Sequence, residues 1–272
     1  MQGRLSPRPA DRLQAFPHET WPDELAIAKR VGLDFVEWIY EAPRARENPL
    51  ASEAGRRAIV AACAASGTPI GSVCADYFMV RKLAGGSCEE RAENVSVLAE
   101  LIRWTREIGA SRILLPLLET SALSTPALVL EASDSLRQVT RVLEYYDVTL
   151  GLEMEIAGPE YAAVVRGVGH GRVRAYYDTG NSTAQGFDVG QDISDLLPLL
   201  TAVHLKDRRT HGSSVPLGSG DTNFAGLFAR LRESGFAGDF LLQHYFDDDP
   251  EGAAREALGV VRGLWPAAEA AA

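Results

Sequence analysis

The sequence predicts a (β/α)₈ barrel, and three observations carry that prediction. Short apolar runs rich in Val, Ile and Leu alternate with amphipathic stretches, the runs recur about every thirty residues, and polar residues close one run after another. A length of 272 residues lies close to the roughly 250 that such a barrel needs. The hydrophobic share of 46% beside 24% charged residues is that of a globular chain able to bury a large core.

Eight βα units are read in order. Strands are expected over 2–5, 34–39, 69–74, 112–118, 149–154, 172–177, 202–206 and 239–244. Helices are expected over 21–31, 53–66, 88–108, 126–146, 159–168, 193–200, 224–234 and 250–264, with Gly32, Gly109 and Gly235 as stop signals. The first strand has the weakest signal; a barrel ordinarily begins several residues before it, so an earlier start is expected. The Ala-rich end, 266–272, is expected to be a helical or frayed tail without chemistry. No stretch is long enough to be a linker, so 1–272 is expected to form a single domain. An open doubly wound sheet is the competing architecture, but no GxGxxG follows the first strand.

Composition also excludes some functions. The net charge of −10 disfavours nucleic acid as a partner. No apolar run reaches the roughly 18 residues of a membrane span. Cys63, Cys74 and Cys88 form an odd set without CxxC pairing, which fits a reducing cytoplasm.

A closed barrel of this kind places its site at the C-terminal ends of the strands, so polar residues there are the candidates. Glu37 closes the second run, Glu119 follows the fourth, and Glu153 with Glu155 closes the fifth. Asp178 closes the sixth, His204 with Lys206 the seventh, and Gln243 with His244 the eighth. Side chains alternate along a strand, so Glu153 shares a face with Glu155, and His204 with Lys206. Glu153, Asp178, His204 and Gln243 come from four consecutive strands at matching depth and offer oxygen and imidazole donors. Such a set suits one divalent ion, Mn²⁺ first, then Mg²⁺, Co²⁺ or Zn²⁺. Singly, each is equally well a hydrogen-bonded strand-end residue; four in register favour the metal.

Substrate contacts are read less sharply. Arg4 has the fork to hold a phosphate or carboxylate, or to pair with Glu37. Asp76 and Glu119 are candidate hydroxyl partners, with solvated loop acids as the alternative. Arg208, Arg209 and His211 lead into Gly218-Ser-Gly220, a loop able to close over substrate. Trp38, Tyr77 and Phe78 either wall a sugar or pack into the core and rim.

Several stretches together resemble a known family. Gln-Gly-Arg-Leu-Ser-Pro at 2–7, Tyr-Asp-Thr-Gly-Asn at 177–181, Val-His-Leu-Lys-Asp-Arg at 203–208, Val-Pro-Leu-Gly-Ser-Gly at 215–220 and Leu-Leu-Gln at 241–243 are similar to the xylose-isomerase-like TIM-barrel superfamily of sugar and sugar-phosphate isomerases and epimerases. The likeness runs over almost the whole chain. It implies a divalent metal held by Glu153, Asp178, His204 and Gln243, and a small carbohydrate-like substrate contacted by Arg4, Glu37, Asp76, Glu119, Glu155, Asn181, Arg208 and His244. It also implies a homo-oligomer. The reaction implied is isomerisation or epimerisation through a metal-bound enediolate, with Glu153 as base.

Ketose 3-epimerases of that family carry a second glutamate on the eighth strand to serve the opposite face of the substrate. Here that position is Gln243, which coordinates through its carbonyl oxygen but exchanges no proton at neutral pH. One-base isomerisation survives the change; otherwise Lys206, Glu155 or His244 must serve the second face. Lys206 is equally read as a salt-bridge partner of a strand-end carboxylate. A metal-dependent dehydratase or lyase acting on a keto-sugar or cyclitol begins with the same proton abstraction and is the runner-up. A non-catalytic sugar-binding barrel ranks lower. An abasic-site endonuclease ranks lowest, because that class gathers zinc ions on many histidines, whereas this chain has five and Asn181 stands where another would follow the aspartate.

Overall fold

The computed structural model describes residues 1–2, 5–6, 14–243 and 249–265. Arg4, His244 and the expected tail at 266–272 lie outside these residues.

Seven parallel strands form a nearly closed barrel in the order β1-β2-β3-β4-β5-β6-β9. They are β1 (Val36–Ile39), β2 (Ile70–Cys74), β3 (Arg112–Pro116), β4 (Thr149–Glu153), β5 (Val173–Asp178), β6 (Leu200–Leu205) and β9 (Asp239–Leu242). Where an eighth strand was expected over 2–5, the described residues show a parallel bridge between Gln2 and Glu37. Gln2 N–H donates to Leu242 O at 3.2 Å, and Glu37 N–H donates to Met1 O at 2.6 Å. The start of the chain therefore joins β9 to β1 and closes the gap.

Helices cover the outside of the sheet: α1 (Trp21–Val31), α2 (Glu53–Ser66), α4 (Cys88–Glu107), α5 (Pro126–Tyr146), α6 (Gly158–Val168), α8 (Val189–Leu196), α9 (Phe224–Glu233) and α10 (Pro250–Leu264). Local signals set their ends. Ser87 and Glu90 form a reciprocal cap at the start of α4, and Thr125 followed by Pro126 opens α5. The helix expected over 193–200 begins earlier, at Val189, because Asp188 accepts from Gly190 N–H and Gln191 N–H. It stops before Pro198, and Leu200 passes to β6.

Strands buried on both faces divide the core into two parts. One cluster fills the space between sheet and helices. A second, Cys74, Leu114, Tyr176, Ala202 and Leu241, fills the lumen. Gly151 makes room there, since a Cβ at that position would lie 2.7 Å from the Tyr176 ring.

Two short helices were not anticipated, α3 (Tyr77–Val80) after β2 and α7 (Thr179–Gln185) after β5. A two-stranded ribbon, β7 (Asp207–Arg208) with β8 (Ser214–Val215), projects beyond β6. Among the described residues no helix is long and apolar enough to cross a membrane.

Candidate active site

Parallel pairing in register brings the strand ends together. Asp178 pairs with His204 across β5 and β6, and Glu153 closes β4 beside them. Each of Glu153, Asp178 and His204 offers a ligand atom, and these atoms lie within 4.8 Å of one another. All three are buried, His204 completely. Gln243 follows β9 on the face that Leu241 turns to the lumen, and it too is buried. Among the described residues, Asp178 Oδ2, His204 Nδ1 and Gln243 Oε1 are buried without a hydrogen-bond partner. Unpaired buried acceptors are costly and uncommon. Three at one barrel mouth, with Glu153 beside them, fit a divalent cation, and the oxygen and imidazole donors suit that choice.

Glu37 lies beneath this group, fully buried, with both carboxylate oxygens occupied. His204 Nε2 bonds to Oε1 at 2.9 Å, while Ser72 Oγ and Tyr176 OH donate to Oε2 at 2.6 and 2.8 Å. Burial opposes ionisation of Glu37, but His204 and these three hydrogen bonds outweigh it and hold the carboxyl below its ordinary range. A carboxylate acceptor puts the imidazole proton on Nε2 and leaves Nδ1 as a lone-pair donor facing Asp178. The sequence reading placed Glu37 against substrate or Arg4. In the structure Glu37 stands two residues short of the end of β1, with its carboxylate bonded to His204, Ser72 and Tyr176.

On one flank, Asn181 organises the charged groups. Its backbone N–H donates to Asp178 Oδ1 at 2.7 Å and its Nδ2 donates to Glu153 Oε1 at 3.0 Å. Its Oδ1 accepts from Lys206 Nζ at 3.0 Å, and Nζ lies 3.9 Å from Asp178 Oδ2. Gly180 is required here, because a Cβ would fall 2.6 Å from Lys206 Cγ. Burial, then the charge of Asp178, pushes the Glu153 carboxyl well above its ordinary range, with Lys206 opposing. Glu155, half-buried, is raised by burial and by Asp178.

The opposite flank carries side-chain amides. Gln243 Nε2 donates to Gln2 Oε1 at 2.6 Å and to Gln14 Oε1 at 3.3 Å. The Asp76 carboxylate accepts from Gln14 Nε2 at 2.6 Å and from the Cys74 thiol at 3.1 Å.

Of the other candidates, Arg208 joins the Asn181 flank and the rest are dispersed. Glu119 is exposed, with a left-handed backbone (φ 48°). Arg208 donates twice to Gly212 O, at 3.1 and 2.8 Å, and lies 3.5 Å from Asn181 Oδ1. Arg209 pairs with Asp221 at 2.9 Å, and His211 is exposed. Trp38 is buried against Phe16 and Trp21 and donates to Asn48 Oδ1; Phe78 is fully buried. Both follow the packing alternative, and half-buried Tyr77 stacks on Tyr40.

Sequence reasoning missed Gln2, Gln14, Ser72, Tyr176 and Asp207. Asp207 is buried and accepts from Gly218, Gly220 and Thr222 N–H at 2.8, 2.8 and 3.2 Å, pinning the glycine loop. Its position directly after Lys206 and ahead of that loop was the available signal.

The comparisons agree with this fold. L-ribulose-5-phosphate 3-epimerase UlaE of Salmonella paratyphi C is 26% identical over 248 residues, spanning 88% of this chain and 87% of the relative. The apo crystal structure of 3-keto-D-glucoside 4-epimerase YcjR from E. coli superposes with a TM-score of 0.72 at 20% identity, covering 93% of this chain and 97% of that one. The IOLI protein, solved with a bound zinc atom, superposes at 0.73 with 14% identity over 90% of this chain and 92% of the other. A family model described as the xylose isomerase-like TIM barrel matches residues 25–264. With its parallel barrel and strand-end site, the chain belongs to the xylose isomerase-like TIM barrel family.

Proposed function

We propose that this protein is a divalent-metal-dependent isomerase or epimerase of a sugar or sugar phosphate, working by proton transfer next to a carbonyl with Glu153 as base. The observation that carries the reading is the buried cluster of Glu153, Asp178 and His204, with Asp178 Oδ2, His204 Nδ1 and Gln243 Oε1 buried without a hydrogen bond. The UlaE and YcjR likenesses support a carbohydrate substrate. Glu153, Asp178, His204 and Gln243 would hold the ion, with Mn²⁺ our first choice on donor chemistry. When bound, the ion supplies Lewis-acid polarisation of a carbonyl and its neighbouring hydroxyl, which acidifies the C–H between them.

The chain's own residues supply the rest. Asn181 holds one Glu153 oxygen at 3.0 Å and so aims the carboxylate. Burial raises the basicity of Glu153 and suits it to accept a proton. Lys206, across Asn181, brings a cation to the same flank and can donate to an oxyanion. Gln243 moves no proton, so removal and return both fall to the Glu153 flank or to a group outside the described residues.

The test uses Mn²⁺-loaded protein in D₂O with a panel of ketoses, ketose phosphates, 3-keto-glucosides and cyclitol ketones. Deuterium incorporation without elimination is expected. Elimination would make the protein a lyase, and absence of both with every substrate would overturn the enzymatic reading. Elemental analysis is expected to find about one divalent ion per chain.

A further inference from the structure

The amide flank has a direction. Gln243 Nε2 donates to Gln2 Oε1, Gln2 Nε2 donates to Cys74 Sγ at 3.1 Å, and the Cys74 thiol donates to Asp76 Oδ1. By a second branch Gln243 Nε2 donates to Gln14 Oε1, and Gln14 Nε2 donates to Asp76 Oδ2. Both branches end on one carboxylate, which only accepts. Turning Gln14 over would set its Oε1 against Asp76 Oδ2 at 2.6 Å, acceptor against acceptor. Reversing the other branch would take the thiol proton away from Asp76 Oδ1. Burial, then the charge of Asp76, raises the Cys74 thiol well above its ordinary range, so the proton needed for donation stays on sulfur. Gln2, Cys74 and Gln243 are all buried, which limits compensation by water.

We propose that Asp76 is a positioning residue for Gln243: through Cys74 and Gln2 on one branch and Gln14 on the other, it fixes the amide with Nε2 on Gln2 and Gln14 and Oε1 turned away from them. This deepens the metal reading above and rests on it, because Oε1 is thereby the fourth donor toward the ion. The same wiring selects a neutral Gln and works against Glu. A carboxylate at 243 would confront Gln2 Oε1 and Gln14 Oε1, and Gln14 cannot turn to meet it while Asp76 holds its nitrogen. Asp76→Asn removes that restriction, since an amide can accept with one atom and donate with the other.

A double-mutant cycle of Asp76→Asn and Gln243→Glu tests this. Mn²⁺ affinity of the metal-stripped protein is read by titration calorimetry, and unfolding temperature is read without metal. Asp76→Asn is expected to weaken Mn²⁺ binding by about 10–100-fold. Gln243→Glu alone is expected not to tighten binding, despite its added charge. The double variant is expected to bind about tenfold tighter than Gln243→Glu alone. A purely structural role for Asp76 would not produce that reversal. In unfolding temperature, Gln243→Glu should cost more beside native Asp76 than beside Asp76→Asn. Additive effects in both readouts overturn the relay. Coupling in unfolding temperature with no Mn²⁺ uptake by the native protein upholds the relay and overturns the metal reading, so the two failures are distinct. If the variants do not fold, neutron diffraction from native crystals decides: deuterons on the Gln243 atom facing Gln2 support the relay, and deuterons on the other amide atom overturn it.

Discussion

The two flanks of the barrel mouth are built from opposite materials. On one, Glu153, Asp178 and Lys206 are ionisable groups gathered around Asn181. On the other, Gln243 meets Gln2 and Gln14, neutral amides whose orientation ends on Asp76. Glu153 on the first flank can take up and release a proton; the amides of the second can only hold a dipole in place. A shared depth in the barrel therefore does not make the flanks equivalent, and it predicts chemistry confined to one side. The largest effect should come from Glu153→Gln, which keeps the shape and the oxygen donor but abolishes proton uptake. Deuterium exchange into substrate should fall by about 10²–10⁴-fold. Exchange that persists near the native rate would move the base elsewhere and break the comparison.

Beneath both flanks, Glu37 should show the next largest effect. Glu37→Gln replaces one acceptor oxygen by an NH₂ among three donors, His204, Ser72 and Tyr176, so one buried donor loses its partner. The metal-free protein should lose about 1–3 kcal/mol in denaturant unfolding. Mn²⁺ affinity should fall by about 10–100-fold as the His204 tautomer becomes free to change. An unchanged affinity would mean that His204 Nδ1 is not held for the ion by Glu37.

These differences explain what could be read from the sequence. Glu153, Asp178 and His204 were legible because each is polar at the end of an apolar strand, and consecutive parallel strands bring their ends to one level. Glu37 carried the same signal but stands before Trp38 and Ile39, where its carboxylate meets His204, Ser72 and Tyr176. Tyr176 reads as core within an apolar run; its hydroxyl finds Glu37 only once β5 and β1 face each other across the lumen. The amide flank had no local signature: Gln2 and Gln243 are 241 positions apart and meet through barrel closure. The same closure explains why the first strand was faint, for its described part is a single bridge supported on both sides. Helix α7 is seven residues long and mostly buried, so it has no amphipathic period to detect.

The smallest predicted effect concerns stability, and it sharpens the contrast between the flanks. Folding raises the Glu153 carboxyl above its ordinary value of 4.5, first by burial and then by Asp178. A group raised on folding favours the folded state when protonated. Its contribution is fully present below 4.5 and is lost as pH rises through the raised value. Metal-free protein should therefore lose stability through Glu153 as pH climbs from 4.5 through the raised value. Because a cation needs the ionised carboxylate, Mn²⁺ should raise the unfolding temperature more at about pH 7.5 than at about pH 5.5. Glu153→Gln should flatten this slope in the metal-free protein. Gln243→Met should leave it intact, because no amide on that flank titrates. Calorimetric unfolding across the pH range separates the two variants. A slope abolished by Gln243→Met would mean that the amide flank shares the Glu153 proton, and the division between a flank that moves protons and one that holds dipoles would fail.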